Sequence, residues 1–310
     1  MKKTILATML TSLFAATAAH RATMHDADGI IVALYGDVEV QAINTLDKNE
    51  GKQIVIDEAN FGVETGYDIN DDVAAIGVIS FESITDNENE NGATLDDAYV
   101  GFASGKYGTI TVGKQVTIFD DAGIGGDFVF GFNDFYEQTT SSEQVIKYTI
   151  DKGNYYGGIA YIVNQEDDDG ERTVDGKLGA RFADVDLTVF YGKSDLEAGG
   201  DVENINFEAR YTIDQLTLAA AYATTEMDGG NDVKSLGLAA TYQVNAKVQL
   251  AAGYANIDED NEEDENQYYA NASYAFGNNV TTYFEIGGND GEIDGRDTEL
   301  GYVAGMAISF

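Results

Sequence analysis

The chain has 310 residues, a formal net charge of −38, 35 glycines, and no cysteine, proline or tryptophan. The lack of cysteine excludes disulfide-stapled folds and thiolate metal sites, and the excess of acids disfavours nucleic-acid binding, which requires a basic surface. The length fits two ordinary domains or one large all-β domain.

The first element along the chain is an export signal. Lys2 and Lys3 precede the mostly apolar stretch TILATMLTSLFAATAA at residues 4–19, which ends in small residues as a secretory signal does. The stretch is short for a membrane helix. We expect a signal peptide over residues 1–21, cleaved after one of residues 18–21, followed by a single β-barrel domain over residues 22–310.

From Ile30 onward, apolar residues recur at every second position, which predicts strands with one apolar and one polar face. LTLAAAYA at residues 216–223 and SLGLAATY at residues 235–242 are clear examples. The pattern marks sixteen strands, which start near Ile30, Ile54, Val73, Thr94, Thr109, Gln144, Tyr155, Thr173, Asp186, Glu203, Leu216, Val233, Val248, Gln267, Val280 and Glu299.

The connections between these strands alternate in length. DINDD at residues 68–72 and GKYG at residues 105–108 are short, whereas DNENENGA at residues 86–93 and DEDNEEDEN at residues 258–266 are long and acidic. An even number of strands joined by alternating short and long connections predicts an all-β, up-and-down antiparallel barrel. Such a barrel can span a membrane, because closure pairs every backbone group inside the hydrocarbon. A soluble sandwich also uses alternating strands, but its core needs larger residues than Ala, Gly and Tyr.

Three motifs follow one another along the chain: DGIIVALYGDVEV at residues 28–40, DDAYVGFASGKYGTITVGKQ at residues 96–115 and IGGDF at residues 124–128. In this order they resemble the general porins of Gram-negative outer membranes. The first is similar to that family's first strand, the second to its fourth and fifth strands, and the third to the GGD signature of its third loop. The resemblance covers nearly the whole chain. It implies a sixteen-stranded barrel in the cell outer membrane, assembled as a homotrimer, through which small hydrophilic solutes diffuse passively.

The same resemblance implies the partners of the protein. They are outer-membrane lipid and lipopolysaccharide, the outer-membrane assembly machinery, and small hydrophilic solutes and cations. No cofactor is implied. In the last strand, GYVAGMAISF at residues 301–310, alternating apolar residues predict a lipid-facing row. There the resemblance implies that Phe310, together with Tyr302, forms a C-terminal assembly signal.

The resemblance further implies a long third loop that folds into the lumen, which by position is residues 118–142. Acids of this loop would face bases on the barrel wall and so form the pore constriction. The loop acids of this chain are Asp120, Asp121, Asp127, Asp134 and Glu137. Gly123 stands where the family carries an acid two places before the GGD motif.

The wall departs from the family pattern. Well-known family members carry lysine or arginine at four wall positions. At these positions this chain has Asp37, Asn60, Asp96 and, approximately, Ser141. Alternation still places four bases on the inner face, each either in the constriction or paired with a nearby acid: Lys147, Lys177, Arg181 and Arg210. Because acids greatly outnumber bases, we expect a negative lumen that prefers cations to anions.

Three other functions are weighed against a general pore. A sugar-specific porin would stack sugars on lumen aromatics, whereas the simpler interpretation is that the loop aromatics anchor the loop; these are Phe128, Phe130, Phe132, Phe135 and Tyr136. A surface adhesin or structural barrel would conduct no ions. No enzyme is expected, because His20 and His25 are the only histidines that could serve as a catalytic base.

The acidic loops attract hard cations but lack the EF-hand pattern, so no defined metal site is predicted.

Overall fold

The computed structural model describes residues 21–49, 51–84, 92–133, 135–163, 172–196, 200–293 and 296–310. The predicted signal peptide therefore lies outside the described residues, apart from Arg21. Strands dominate the described part, together with one turn of 3₁₀ helix (Phe119–Asp121). None of its helices is long and apolar enough to cross a membrane.

The strands of the described ranges form a single barrel. In chain order they are β1 (Arg21–Ala27), β2 (Ile30–Asn44), β3 (Gln53–Asp68), β4 (Ala74–Ile84), β5 (Gly92–Ser104), β6 (Gly108–Val116), β7 (Ser141–Asp151), β8 (Tyr155–Ile162), β9 (Arg172–Phe182), β10 (Val185–Leu196), β11 (Gly200–Ile213), β12 (Leu216–Met227), β13 (Val233–Asn245), β14 (Val248–Glu259), β15 (Glu265–Ala275), β16 (Val280–Asn289), β17 (Glu292–Ile293), β18 (Arg296–Asp297) and β19 (Gly301–Ser309).

Sixteen of these strands, β2 to β16 and β19, form one closed antiparallel ring. Each strand pairs with the next along the chain, and β19 pairs with both β16 and β2. Every observed start lies within three residues of the predicted one. The predicted sixteen-stranded antiparallel barrel is therefore confirmed. Closure leaves no sheet edge, so the backbone groups of the ring pair with one another.

Alternation along the strands separates an outer from an inner face. On β12 and β13, Leu218, Leu236 and Leu238 are exposed on the outer face, whereas Ala221 and Ala223 between them are buried on the inner face. The outer row would cost hydrophobic free energy in water, but it meets lipid in a membrane barrel. The lipid thus takes the place that a packed core has in a soluble fold.

The strand β1 was not predicted, because RATMHDA lacks a regular apolar alternation. It pairs with the Ile30 to Tyr35 half of β2, whereas β19 pairs with the half from Asp37 to Asn44. The turn between β1 and β2 is the dipeptide Asp28–Gly29, with φ of 55° and 76°. Aspartate and glycine tolerate this left-handed conformation, which a two-residue hairpin requires.

β1 and β19 consequently share one position in the ring and meet end to end. Phe310 lies at the junction, where its backbone N–H donates to Gly36 O at 2.9 Å and its carbonyl accepts from Gly36 N at 3.0 Å. A Cβ on Gly36 would come within 2.7 Å of the Phe310 ring. The aromatic ring therefore packs directly on the first strand of the barrel.

Tyrosines on the inner face cover glycines of the neighbouring strand. Four such pairs are direct cross-strand neighbours: Tyr35–Gly62, Tyr156–Gly179, Tyr269–Gly253 and Tyr283–Gly305. A Cβ on Gly305 would lie 2.1 Å from the Tyr283 ring, and one on Gly62 would lie 2.3 Å from Tyr35. Glycine is needed here because it lets a large ring lie against the backbone of the wall.

This packing predicts that Gly305→Ala destabilises the barrel. The new methyl group forces the Tyr283 ring off the wall, at a cost of about 1–3 kcal/mol, as is usual for overpacking. The matched substitution Gly105→Ala, in a turn where nothing lies within 4 Å of the new Cβ, is expected to be neutral. Thermal unfolding in detergent, followed by far-ultraviolet circular dichroism, measures both variants; equal melting temperatures would contradict the packing argument.

Candidate functional site: the inner face of the barrel

Residues 117–133 and 135–140, from the segment that connects β6 to β7, lie against the inner face of the barrel wall. This segment, named here the long connection, is close to the predicted residues 118–142. Glu285 of β16 is fully buried, and its carboxylate accepts from the backbone N–H groups of Phe128, Val129 and Phe130 at 2.7, 2.8 and 2.7 Å. Asn271 Nδ2 also donates to Glu285, at 2.8 Å. One wall carboxylate therefore organises a whole turn of the long connection.

Two further buried carboxylates hold the beginning of the long connection. Asp175 of β9 accepts from the N–H groups of Ile118 and Phe119 at 3.1 and 3.4 Å. Glu208 of β11 accepts from Gly123 N at 2.6 Å. Hydrogen bonds from N–H groups to a carboxylate are stronger than neutral ones, so these acids position the connection.

Apolar contacts complete the attachment. Ile124 and Phe135 pack on an alanine-rich patch of β12 to β14, and the Phe128 ring stacks on Tyr283 with ring centroids 3.8 Å apart. Phe130 is buried next to Val303, Phe132 lies against Tyr269, and Tyr136 lies against Phe119. All five aromatics singled out in the sequence thus contact the wall or another residue of the connection, which agrees with the anchoring interpretation.

The acids of the long connection have different surroundings. Asp120 is exposed, Asp121 forms an ion pair with Lys177, and Asp127 places its carboxylate beside Gly125 and Gly131. Glu137 is exposed, and its backbone carbonyl accepts from Asn204 Nδ2. Asp134 lies outside the described residues.

Asp120 interacts electrostatically with charged groups on the neighbouring strands β5 and β7. Although its side chain is exposed to the lumen, the surrounding protein removes part of the hydration of Asp120 and so raises its pKa above the ordinary value. The neighbouring charges of Asp121 and Asp96 raise the pKa further, and Lys147 opposes them. These contributions show that the connection, β5 and β7 bring their charged groups close together. Asp120 is therefore a carboxylate whose charge is sensitive to mild acidification.

Three of the predicted wall residues lie on the inner face of β2, β3 and β5. Asp37 and Asn60 are cross-strand partners, and Asn60 Nδ2 donates to Asp37 Oδ2 at 3.4 Å. Asp96 accepts from Ser80 Oγ at 2.9 Å, at a bulge in the pairing of β4 with β5. Ser141, the fourth position, is the first residue of β7.

Further acids on this wall were missed in the sequence. Glu39 accepts from Tyr283 Oη, Glu58 is the cross-strand partner of Glu39, and Asp97 alternates with the outward-facing Val100 and Phe102. The alternation of the strands could have identified them, because each of these acids occupies a position on the polar face of its strand. The buried anchors Asp175, Glu208 and Glu285 carry the same signal and were also missed.

The predicted wall bases face inward, and each is paired with an acid or a backbone carbonyl. Lys177 pairs with Asp121; Arg181 lies 2.9 Å from Asp151 and 3.2 Å from Asp186; Arg210 lies 2.9 Å from Glu208. Lys147 Nζ donates to the carbonyl of Val116 at 2.7 Å. Three of these bases lie on β9 and β11, whereas Lys147 of β7 interacts electrostatically with Asp97 of β5 and with Asp120.

The negative charges of the inner face are consequently only partly neutralised by bases. Among the described residues, no base lies within salt-bridge distance of Asp37, Glu39, Glu58, Asp96 or Asp97. Nor do the described ranges contain a group of three or more His, Cys, Asp or Glu residues that could hold a metal ion. The arrangement offers separated negative charges along one wall of a polar lumen.

Comparison with known proteins gives one family for this architecture. A family model described as Gram-negative porin matches residues 6–294. Porin-like protein H of Photobacterium profundum is 30% identical over 338 aligned residues that cover 100% of both chains. A monosaccharide porin of a Halomonas species is 30% identical over 129 residues, which cover 39% of this chain and 35% of the relative.

The fold is similar to that of solved outer-membrane proteins. The trimer form of OmpT, an outer membrane protein of Vibrio cholerae, superimposes with a TM-score of 0.75 at 21% identity, covering 91% of this chain and 100% of OmpT. At this level of identity the likeness concerns the fold alone.

Proposed function

The chain belongs to the Gram-negative porins of the outer membrane, and on that premise we propose that it is a general diffusion pore that prefers cations to anions. The observation that carries the preference is the imbalance of the inner face. Its bases on β9 and β11 are neutralised by ion pairs. On β2, β3 and β5, Glu64 is paired with Arg21, whereas no base of the described residues lies within salt-bridge distance of Asp37, Glu39, Glu58, Asp96 or Asp97. Unpaired carboxylates that line water concentrate cations and repel anions.

We place the constriction between the long connection and the acidic wall. Asp120 and Asp121 line one side, with Lys147 and Lys177 beside them; Asp37, Asn60 and Asp96 line the other, with Asp97 added. Arg181 and Arg210 lie on the wall of β9 and β11. In this proposal Asp127 and Glu137 contribute less, because Asp127 is directed toward its own loop glycines. Asp134 remains a prediction.

The reversal potential of the purified protein in a planar bilayer tests the preference. Under a tenfold potassium chloride gradient, we expect a shift in the cation direction toward the limit of about 59 mV for a perfectly selective monovalent pore. A reversal potential of zero, or one in the anion direction, would contradict the proposal. The absence of any conductance would favour the adhesin or structural barrel.

A general pore is favoured over a sugar-specific one by the packing of the loop aromatics. Phe130 and Phe135 are buried against the wall, and Phe128 is stacked on Tyr283, so these rings offer no continuous stacking track for a sugar. Liposome swelling with sugars of increasing size separates the two functions. Rates that fall smoothly with size support the general pore, and one strongly preferred sugar would contradict it.

Other properties of the porin enter as parts of the same proposal. We propose a homotrimer, supported by the trimer form of the similar OmpT fold, in contact with lipid and lipopolysaccharide. Residues 1–21 are proposed as the signal peptide and residues 22–310 as one barrel domain. The assembly signal is assigned to Phe310 and Tyr302, with support from the hydrogen bonds between Phe310 and Gly36 that join the last and first barrel strands.

Cation preference is expected to weaken on mild acidification. The pKa of Asp120 is raised mainly by burial, so Asp120 becomes protonated and neutral at a higher pH than an ordinary aspartate, whose pKa is about 3.9. The reversal potential should therefore begin to fall above that pH as the solution is acidified. Asp120→Asn is the test variant, since it should lower the preference at neutral pH and make the fall on acidification smaller. An unchanged profile in Asp120→Asn would contradict the assignment.

A further inference from the structure

A cavity opens on the inner face between the first turn of the long connection and the short turns that follow β5 and β7. Its volume is about 630 Å³, within the range of small-molecule sites. Its described lining comes from β5 to β11 and from the long connection, and it includes none of the wall acids that lack a basic partner. The cavity is therefore a part of the lumen with its own chemistry.

The accessible charged groups of this cavity balance one another. They are three partly exposed bases and three partly exposed acids: Lys177, Arg181, Arg210, Asp121, Asp151 and Asp186. Glu208 also lines the cavity, but its side chain is 1% exposed and already accepts from Gly123 N. Equal numbers of accessible positive and negative groups give little net attraction to an anion or to a cation. They are complementary to a solute that carries one charge of each sign.

Two of the bases converge on one aromatic ring. Arg181 Cζ lies 3.9 Å and Lys177 Nζ lies 5.9 Å from the centroid of the Tyr156 ring. Arg181 donates through Nε and Nη1 to two carboxylates and one backbone carbonyl, so no described residue accepts from Nη2. Lys177 Nζ carries three donors and, among the described residues, donates to Asp121 alone. Unused N–H donors of two cations thus lie beside the same ring, which suits a carboxylate.

Asp121 places an acceptor beside these donors. Its Oδ2 accepts from Lys177, whereas its Oδ1 accepts no hydrogen bond from the described residues. The Asp121 side chain is 52% exposed, so Oδ1 is accessible to a solute. The Lys177–Asp121 pair holds a positive and a negative group in direct contact. An α-amino acid has matching geometry, because its ammonium group is on the carbon that carries the carboxylate.

The aromatic rings of the cavity are not free to stack on a sugar. The Tyr156 ring lies against Gly179, where a Cβ would come within 2.1 Å of it, and it also carries the Arg181 guanidinium. Phe190 is only 2% exposed. A phosphate is disfavoured as well, because it would meet the three accessible carboxylates together with the bases. A zwitterion is the solute class that uses both signs of charge.

We propose that this cavity binds the zwitterions of small α-amino acids. The carboxylate of the solute accepts hydrogen bonds from Arg181 Nη2 and Lys177 Nζ, and its ammonium group donates to Asp121 Oδ1. This inference names a solute class for the proposed pore and rests on that function, since the solute must enter the lumen. Binding is weak, because a pore must release the solutes that it takes up.

Saturation-transfer difference NMR of the purified full-length barrel in detergent tests the site, with alanine as the probe and empty micelles as the blank. We expect saturable binding in the millimolar range, about tenfold weaker for Arg181→Gln, because a charged hydrogen-bond partner is lost. The matched control is Arg172→Gln, which makes the same change at an exposed residue of the same strand. A second variant, Asp121→Asn, should lower the affinity for alanine relative to that for propionate, because it removes the charge that meets the ammonium group.

Three further probes define the chemistry. Lactamide is a neutral isomer of alanine, propionate lacks the ammonium group and ethylammonium lacks the carboxylate, so each should bind more weakly than alanine. The proposal is overturned if any of the three binds as tightly as alanine, or if Arg181→Gln and Arg172→Gln weaken binding equally. Equal binding of ethylammonium would mean diffuse attraction to an acidic protein.

The binding measurement is independent of conduction, so the two proposals fail separately. A barrel that binds alanine in detergent but passes no current in a bilayer would support this site and contradict the proposed pore. A barrel that conducts but does not bind alanine would overturn this site and leave the pore standing.

Discussion

Replacing Asp37, Glu39 and Asp97 together by Asn, Gln and Asn is expected to remove most of the cation preference. Each carboxylate attracts a nearby cation by about 1 kcal/mol in a water-filled lumen. Since salt screens these attractions and one ion does not contact all three carboxylates at once, their combined loss should amount to about 1.4 kcal/mol and lower the ratio of cation to anion permeability by on the order of tenfold. The reversal potential under a potassium chloride gradient measures the change, with single-channel conductance recorded in parallel.

The matched control removes the same charge outside the lumen. Asp260→Asn, Glu262→Gln and Glu263→Gln alter exposed acids between β14 and β15, where salt at 0.1 M screens charges beyond about 10 Å. We expect the control to keep the reversal potential of the unmodified protein. If the two triple variants behaved alike, selectivity would arise from overall charge, and the acidic wall would not be its source.

Replacing Glu285 by alanine is expected to release the long connection from the wall. The substitution leaves the N–H groups of Phe128, Val129 and Phe130 without their carboxylate. Each hydrogen bond to a charged group contributes on the order of 1.5–3 kcal/mol, so the turn loses a large part of its polar attachment to the wall. We expect a noisier current and a higher mean single-channel conductance as the segment moves away from its position.

Glu285→Gln separates anchoring from charge. It keeps one acceptor for Val129 and Phe130, but turns an amide donor toward Phe128 N and Asn271 Nδ2, so its effect should be intermediate. Far-ultraviolet circular dichroism confirms that each variant still forms a barrel. A steady current with unchanged conductance in the folded alanine variant would show that Glu285 does not hold the connection.

The barrel itself was predictable from local sequence. In GYVAGMAISF and SLGLAATY, the alternation assigns each side chain to the outer or the inner face, because successive residues of a strand point in opposite directions. Sixteen such segments without cysteine, and with small or charged residues on the face opposite the apolar rows, leave a closed membrane barrel as the arrangement that pairs all backbone groups. β1 was not predictable in this way, because apolar and polar residues do not alternate along it. Its conformation depends on pairing with β2.

The inner surface depended on contacts that no local pattern contains. Alternation places Lys177 inside, yet only the fold brings Asp121, 56 residues away in sequence, to pair with it. Likewise Glu285 meets backbone groups 155 to 157 residues away. The sequence by itself determined the strands, their faces and the family. Which lumen carboxylates are paired, buried as anchors or left unpaired was decided by the tertiary structure, because a charge is neutralised by its neighbours in space.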